Sequence, residues 1–491
     1  MRDVYTVEQC RAADTSAQRF VGEAVLIDRA STAVARRAAL ILGRVYGARV
    51  VVLAGSGHNG ADALWAGVKL QQRGARVDVV IAAEPRDEHG ALPLAILRMA
   101  GARGVGPAEL QGCDLVIDGL TGLGFTGSLR MPELARAASA ARFVVSVDMP
   151  SGVDADTGAV SGAAVRADVT VTFGGLKPGL LVGPGAEYAG QVEVADIGLF
   201  AHLGTSNVRV LDAADVAAAI PTPPPESSKY TRGVVGVIAG SDAYTGAAVL
   251  CCSGAIATGA GMVRFMSDDA AAAAVRAAWP EVVVSAGADA QNVGAAGKVD
   301  AWVVGPGMGT DARARELLLA VLDTDVPVVI DADGLTVAAQ HAKALRRRAP
   351  TVLTPHVGEF VRLMGDSADD VRADRLGWAG RAADQLGVVV LLKGTTTVVA
   401  SPGGGAYINP TGTPWLATAG TGDVLSGAIG TLLATGCDAS HAAAAGAWLH
   451  GLAGRLAADA DRASGPIAAG DVARHLPLAI RVARRRPGDE D

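Results

Sequence analysis

The sequence predicts two α/β domains in tandem, each a layered sheet of mostly parallel strands covered by helices. Three observations predict it. A chain of 491 residues exceeds what one ordinary hydrophobic core organises. Half of it is apolar and 19% is charged, with 63 glycines and only 4% aromatics, which suits globular layering with many tight turns. Short apolar runs alternate with helical stretches on both sides of one breaker, PTPPPESS at 221–228, whose prolines continue neither a helix nor a central strand.

The strands follow in order. Before the breaker come ARVVVLAG (48–55), ARVDVVIA (75–82), DLVIDGL (114–120) and RFVVSVD (142–148). After it come GVVGVIAG (233–240), DAWVVGPG (300–307), VPVVIDADG (326–334), APTVLTPH (349–356) and GVVVLLKG (387–394). Runs this continuously apolar are those of parallel strands buried on both faces. Polar residues gather at their carboxyl ends, where open α/β sheets bind ligands. The domains are expected at 1–215 and 216–491, each with its own site.

Charge and cysteine content exclude other classes. A formal charge of −7 and a pI near 5.7 argue against a nucleic-acid binder, and the one basic cluster, 484–486, reads as a solvated helix end. Five cysteines without metal-ligand or redox spacing point to reduced cytoplasm, and the charged opening MRDVYTVEQCRAAD does not read as a signal peptide. The uncharged stretch 243–263 is long enough to span a membrane on paper. It is rich in Gly, Ala, Ser and Thr with a single leucine, so a buried helix of a soluble domain is expected, and no membrane partner.

In the first half, Gly55-Ser-Gly57-His-Asn-Gly60 follows a strand and opens a helix, with Glu84 at the end of the next strand. This matches the dinucleotide G-x-G-x-x-G pattern in its proper context. The pattern recurs at Gly122-Leu-Gly124-Phe-Thr-Gly127, and Asn59 and Asp62 at the helix start are groups that a close pyrophosphate does not need. Asp62 reads either as a site residue or as a carboxylate stabilised by the helix dipole. Asp118, Asp148 and Ser151 fall at strand ends, and Asp148-Met-Pro-Ser-Gly reads as a rigid turn holding a carboxylate. Oxygens from Asn59, Asp118 and Ser151 suit a hard cation; the plainer reading is carboxylates capping turns.

Together HNGAD (58–62), DGLTGLGFTG (118–127), SVDMPSGVDADTG (146–158) and TFGGLKPG (172–179) resemble the amino-terminal domain of the NAD(P)H-hydrate epimerase family, over about residues 5–205. That resemblance implies a Rossmann-like αβα sandwich and a potassium ion held by Asn59, Asp118 and Ser151. It implies substrate contacts from His58, Asn59, Gly60, Ala61 and Asp62, from Gly122, Leu123, Gly124, Phe125, Thr126, Gly127 and Ser128, and from Asp148. This chain departs from the family, which has two asparagines and paired glycines in the first loop, at His58, Ala61 and Ala63. Inverting the hydrated carbon requires the ring hydroxyl to leave and return on the other face, and Asp148 can shuttle the proton as acid and base. Lys177 reads as a countercharge or as a solvated turn residue.

In the second half, LATAGTGDVLSGAIGTLLATG (416–436) places glycines and Asp423 at a helix start. The N–H groups of 419–422 would face an anion, and Asp423 sits where a base for a hydroxyl nucleophile is needed, although it also reads as an ordinary cap. No G-x-x-x-x-G-K-[ST] loop is present, which excludes a P-loop enzyme. The arrangement resembles the ribokinase-like fold, and within it the ADP-dependent NAD(P)H-hydrate dehydratases. The supporting motifs are KYTRGVVGVIAGSDAYTGAAVL (229–250), VVGPGMG (303–309), VIDADGL (329–335), LTPHVGEF (353–360) and LLKGTTTVV (391–399). The resemblance implies that Ala247, Gly309, His356 and Asp423 contact the hydrated nicotinamide nucleotide. It implies that Lys393, Gly394, Thr395, Thr396, Thr397 and Gly422 hold the adenine nucleotide. Outside that motif His356 reads as a strand-end residue bonded to backbone.

These readings give a bifunctional repair enzyme acting on NADHX and NADPHX (the hydrates of NADH and NADPH), with ADP as co-substrate and magnesium on its phosphates. Epimerisation would supply the S form for dehydration, with AMP and phosphate as products; a homo-oligomer is expected. The alternatives are a ribokinase-like small-molecule kinase and a non-catalytic nucleotide-binding first half.

Overall fold

The structure, a computed structural model, describes residues 1–287, 289–459 and 464–485, so Arg486 of the basic tail lies outside the described residues. The chain divides into a unit of Asp3–Ser206 and a unit of Asn207–Asp491 with Met1–Arg2.

The first unit is built on strands β1 (Arg49–Ala54), β2 (Arg76–Ile81), β3 (Leu115–Gly119), β4 (Val144–Val147), β5 (Val169–Phe173) and β6 (Gln191–Ala195). They pair in the order β2-β1-β3-β4-β5-β6, all parallel. Helices α1 (Val7–Val21), α2 (Glu23–Leu42), α3 (His58–Gln71), α4 (Glu88–Met99) and α5 (Pro132–Ala138) accompany it. β3 and β4 are buried at every position, the burial that their unbroken apolar runs require. The chain winds one way from β1 to β2 and the other way through β3, so a crevice opens at the carboxyl ends of β1 and β3.

The second unit contains β7 (Val208–Val210), β8 (Val234–Ile238), β9 (Met262–Ser267), β10 (Val283–Ala286), β11 (Ala301–Val304), β12 (Val328–Ile330), β13 (Thr351–Leu353), β14 (Val389–Leu392), β15 (Thr397–Ala400) and β16 (Ala406–Asn409). They lie in the order β7-β16-β15-β14-β13-β12-β11-β8-β9-β10; only β15 runs antiparallel to its neighbours. Its helices include α6 (Ala213–Ala219), α7 (Thr245–Thr258), α8 (Val357–Met364), α9 (Thr421–Ala434), α10 (Ala439–Ala458) and α11 (Ala469–Arg484).

The uncharged stretch 243–263 forms α7 and the start of β9. Among the described residues no helix is long and apolar enough to cross a membrane. Its small residues have a packing cause. A Cβ on Gly254 of α7 would sit 2.1 Å from the Val424 carbonyl oxygen, and one on Gly427 of α9 would sit 2.1 Å from that of Cys251. The two helices therefore touch backbone to backbone.

Candidate functional sites

In the first unit a cavity of about 630 Å³ opens at the switch between β1 and β3. His58, Asn59, Gly60, Asp62, Gly122, Leu123, Gly124, Phe125 and Asp148 line it; Ala61, Thr126, Gly127 and Ser128 do not. Glu84 is exposed and also outside the lining. Glycine is needed at position 60 because a Cβ there would meet the Gly55 carbonyl oxygen at 2.1 Å.

Asp118, at the end of β3, and Ser151, after β4, interlock beside this cavity. Asp118 is fully buried, and its Oδ1 accepts from Ser151 Oγ at 2.6 Å and Leu120 N–H at 3.3 Å. Its Oδ2 accepts from Ser146 Oγ at 2.8 Å and Ser151 N–H at 2.9 Å. Burial raises the Asp118 carboxyl, and the Ser151 and Ser146 bonds pull against that shift. The Asn59 amide donates to the carbonyls of Val147 at 2.8 Å and Thr121 at 3.2 Å. Thr121 links Asn59 to the pair of Asp118 and Ser151, since its N–H donates to Ser151 Oγ at 2.9 Å.

Asp148 follows β4 with φ +64°, a left-handed conformation unusual outside glycine. That backbone turns its carboxylate into a buried network. Its Oδ1 accepts from Lys177 Nζ at 2.7 Å, Thr172 Oγ1 at 2.9 Å and Phe173 N–H at 3.1 Å. Lys177 is fully buried and also donates to the Phe173 carbonyl at 2.7 Å, so it is a countercharge and not a solvated turn residue. Asp62 is no solvated helix-dipole carboxylate either. It is buried, its Oδ1 has no hydrogen-bond partner among the described residues, and burial, with the charges of Asp148 and Asp14 adding, raises its carboxyl well above the usual range. It is a buried carboxyl in the cavity wall.

The departure at His58 has a local partner. His58 Nε2 lies 3.1 Å from Glu23 Oε1, and His89 Nε2 lies 3.5 Å from Glu23 Oε2. His58 is exposed at the cavity rim.

In the second unit a cavity of about 490 Å³ is lined by His356, Lys393, Gly394, Thr395, Thr397 and Gly422; Thr396 is outside the lining. α9 begins at Gly420 in a left-handed conformation with no side chain capping it, which leaves its first N–H groups directed at the cavity end. Asp423 therefore is not the cap of this helix. Burial, then the charges of Asp331, Asp333 and Glu359, raise its carboxyl to about 7, with Lys393 pulling the other way.

Lys393 Nζ donates to Asp331 Oδ1 at 2.7 Å and lies 3.7 Å from Glu359 Oε2. Asp331 also accepts from Ser426 Oγ at 2.7 Å on its other oxygen, so it ties Lys393 to α9. Burial opposes the charge on Lys393, but Asp331 and Glu359 outweigh it and its ammonium is raised. Ala247, Gly309 and Asp423 are outside this cavity lining; a Cβ on Gly307 would be 2.9 Å from Ala247 Cβ, and Gly309 N–H donates to Asp333 at 2.9 Å. His356 caps α8, its Nδ1 accepting from Gly358 N–H at 2.9 Å, while its exposed ring reaches the cavity. The strand-end reading of His356 and its placement at the cavity are thus compatible.

Sequence reasoning passed over Asp331, Asn409, Thr418 and His450. The DAD turn after β12 was a signal for Asp331; Asn409 and His450 carry none, since a lone polar residue in an apolar run marks no ligand.

Comparisons with known proteins agree with the two-unit division. Residues 235–477 match the family model described as NAD(P)H-hydrate dehydratase, and residues 23–179 match that of the YjeF-related protein N-terminus. The chain is 46% identical to the bifunctional NAD(P)H-hydrate repair enzyme Nnr of Mycobacterium leprae, covering 98% of this chain and 99% of that one. The Thermofilum pendens protein of the same name is 36% identical over 98% and 97% of the two chains. Among solved structures, the ADP/ATP-dependent NAD(P)H-hydrate dehydratase of Bacillus subtilis, co-crystallised with ATP and Mg²⁺, is 31% identical. It covers 57% of this chain and all of its own, with a TM-score of 0.51.

Proposed function

Because this chain belongs to the bifunctional NAD(P)H-hydrate repair enzymes, we propose that its two cavities divide one repair between them. The protein interconverts the epimers of NAD(P)H hydrate and dehydrates the hydrate to NAD(P)H at the expense of a nucleotide. The observation that carries the second step is Asp423, a raised carboxyl at the uncapped start of α9 with Lys393 nearby.

Asp423 takes the proton of the C6 hydroxyl as its oxygen attacks the β-phosphorus of ADP. The bond from that phosphorus to the bridging oxygen breaks, and AMP leaves. The ring nitrogen's lone pair then expels phosphate, and loss of a C5 proton restores the double bond. Hydroxide is a poor leaving group and phosphate a good one, which is why the nucleotide is consumed. The N–H groups at the start of α9 and the Lys393 ammonium hold the phosphates. Among the described residues no cluster of three or more His, Cys, Asp or Glu could cage a metal. That fits magnesium carried by the nucleotide phosphates, where it supplies charge neutralisation. ADP as the donor and a cytoplasmic setting are part of this proposal.

In the first cavity Asp148 moves the proton of the hydroxyl as it leaves and returns, with Lys177 holding the carboxylate in place. The cluster of Asn59, Asp118 and Ser151 offers amide, carboxylate and hydroxyl oxygens, with the Thr121 and Val147 carbonyls close by. This donor set fits potassium, which supplies fixed positive charge at the switch point.

The test uses purified protein with both hydrate epimers, magnesium, potassium and ADP, following NADH absorbance. Recovery beyond the share of the reactive epimer, faster than in an Asp148→Asn control, with AMP formed, supports both halves. Recovery that stops at that share removes the epimerase assignment. No recovery with ADP or ATP removes the dehydratase assignment.

A further inference from the structure

Asp62, in α3, and Asp148, after β4, both line the first cavity, and their surroundings differ in a way that bears on proton transfer. Asp148 Oδ1 takes three donors, Lys177 Nζ, Thr172 Oγ1 and Phe173 N–H, while its Oδ2 takes none among the described residues. That setting holds a negative charge. Asp62 is 6% exposed, and neither of its oxygens accepts a hydrogen bond from a described residue. A charged carboxylate without donors is costly in such a place, so the group favours a proton. The charges of Asp148 and Asp14 push it the same way.

Two carboxyls whose environments are set apart like this divide into an acid and a base. Asp14, the other carboxyl that acts on Asp62, is half-buried and accepts from Gln18 Nε2 at 3.0 Å. The remaining ionisable groups on the wall, Cys10, Arg11, Glu23, His58 and Arg86, make no hydrogen bond to Asp62 or Asp148. Inversion at C6 is two-sided: oxygen departs from one face of the ring and returns on the other. A single carboxylate pinned by three donors does not swing between the faces.

We propose that Asp62 and Asp148 act as an alternating acid–base pair, one on each face of the hydrated ring. This deepens the epimerase reading of the first cavity and rests on it. With one epimer bound, Asp62 gives its proton to the C6 hydroxyl, the C6–O bond breaks, water departs, and the ring-nitrogen lone pair forms a double bond to C6. A water on the opposite face then bonds to C6, Asp148 Oδ2 takes its proton, and the electron pair returns to nitrogen. Asp62 ends as the carboxylate and Asp148 as the acid, which is the state that the other epimer requires. Two inversions in opposite directions restore the pair.

The experiment follows exchange of the two NADH-hydrate epimers by NMR on the full chain with potassium and no nucleotide. Hydrate carrying heavy oxygen at C6 should lose the label at each inversion in ordinary water. Inversion with the label kept, the outcome of opening the ring at the C6–N bond, overturns the proposal and leaves the epimerase reading in place. The rate should be bell-shaped between about pH 5 and pH 10, because the pair must hold one proton in total. Asp62→Asn should slow exchange at least ~100-fold, and its residual rate should keep the acid limb and lose the alkaline one. A merely structural role would leave the shape of the profile unmoved. Exchange at the parent rate in Asp62→Asn, or a slowed rate with both limbs intact, overturns the proposal alone. An unsubstituted chain that exchanges the epimers no faster than buffer overturns the epimerase reading and the proposal with it.

Discussion

The Lys177 ammonium lies 2.7 Å from Asp148 Oδ1, and neither side chain reaches bulk solvent appreciably. A buried pair of this kind costs little while intact but much when one partner is removed, about 3–5 kcal/mol. Lys177→Met should therefore lower the thermal stability of the first unit and abolish epimerisation. Adding Asp148→Asn should restore much of the stability without restoring activity. A double-mutant cycle read by calorimetry, with epimer exchange followed by NMR, checks both halves of the statement.

Dehydration should depend on pH through Asp423. Burial first, then Asp331 and its neighbours, place this carboxyl at about 7, and the base must be ionised to act. The rate should therefore fall about tenfold per pH unit below ~7 and level off above it. Asp331→Asn removes a like charge, so the acid limb should move to lower pH. A pH–rate profile at saturating hydrate and ADP reads this, and a limb that stays in place rules out Asp423 as the titrating base.

The same site should trade stability for function. The folded carboxyl of Asp423 sits above its ordinary value of 3.8, so its stabilising contribution is full below that value and lost as pH rises toward 7. Asp423→Asn should be inactive yet melt at a higher temperature than the parent at pH 8. Melting curves at pH 5 and pH 8 should show a larger difference at the higher pH, since at pH 5 only part of the window from 3.8 to 7 has been crossed.

Asp62 carries the same sign in the first unit. Its carboxyl is raised well above 3.8 by burial, so stability is lost as pH rises through its folded value. Asp62→Asn should flatten the pH dependence of unfolding of that unit. An unchanged slope in denaturant titrations across pH would show that the carboxyl is not neutral in the folded protein.

A methyl at position 422 should act on the nucleotide alone. The Cβ would stand 3.3 Å from Lys393 Nζ, in the space proposed above for the phosphates. Gly422→Ala should raise the KM for ADP on the order of 10-fold to 100-fold and leave epimerisation unchanged. Steady-state kinetics of the two reactions side by side give the answer.

Parallel strands and their polar carboxyl ends were legible because both follow from local pattern. The unbroken run VVVLA can hardly be other than a doubly buried strand, and Asp118, Asp148 and Asp423 stand where strand or helix boundaries leave them. The sequence left Lys177 between countercharge and solvated turn residue and gave Asp331 no role, because each depends on a partner 29 or 62 residues away in sequence. Asp62 was legible only as two alternatives, site residue or helix-dipole carboxylate, and the fold shows it buried in the cavity wall. Likewise β7, which pairs in parallel with β16, joins the second sheet from a position before the proline breaker, a pairing that no local pattern announces.

The backbone contact of α7 with α9 through Gly254 and Gly427 has a further consequence. Ala247 stands near the start of α7, and Gly422 and Asp423 stand near the start of α9. Where Gly254 and Gly427 bring the backbones together no side chain separates them, so there is little compliance to absorb a slip at that crossing. The ends that would receive the hydrate and the phosphate donor are therefore parts of a single stiff jig. Alignment of hydroxyl and phosphorus is then inherited from the fold, and the cost of aligning them is met once, when the chain folds, instead of at every turnover.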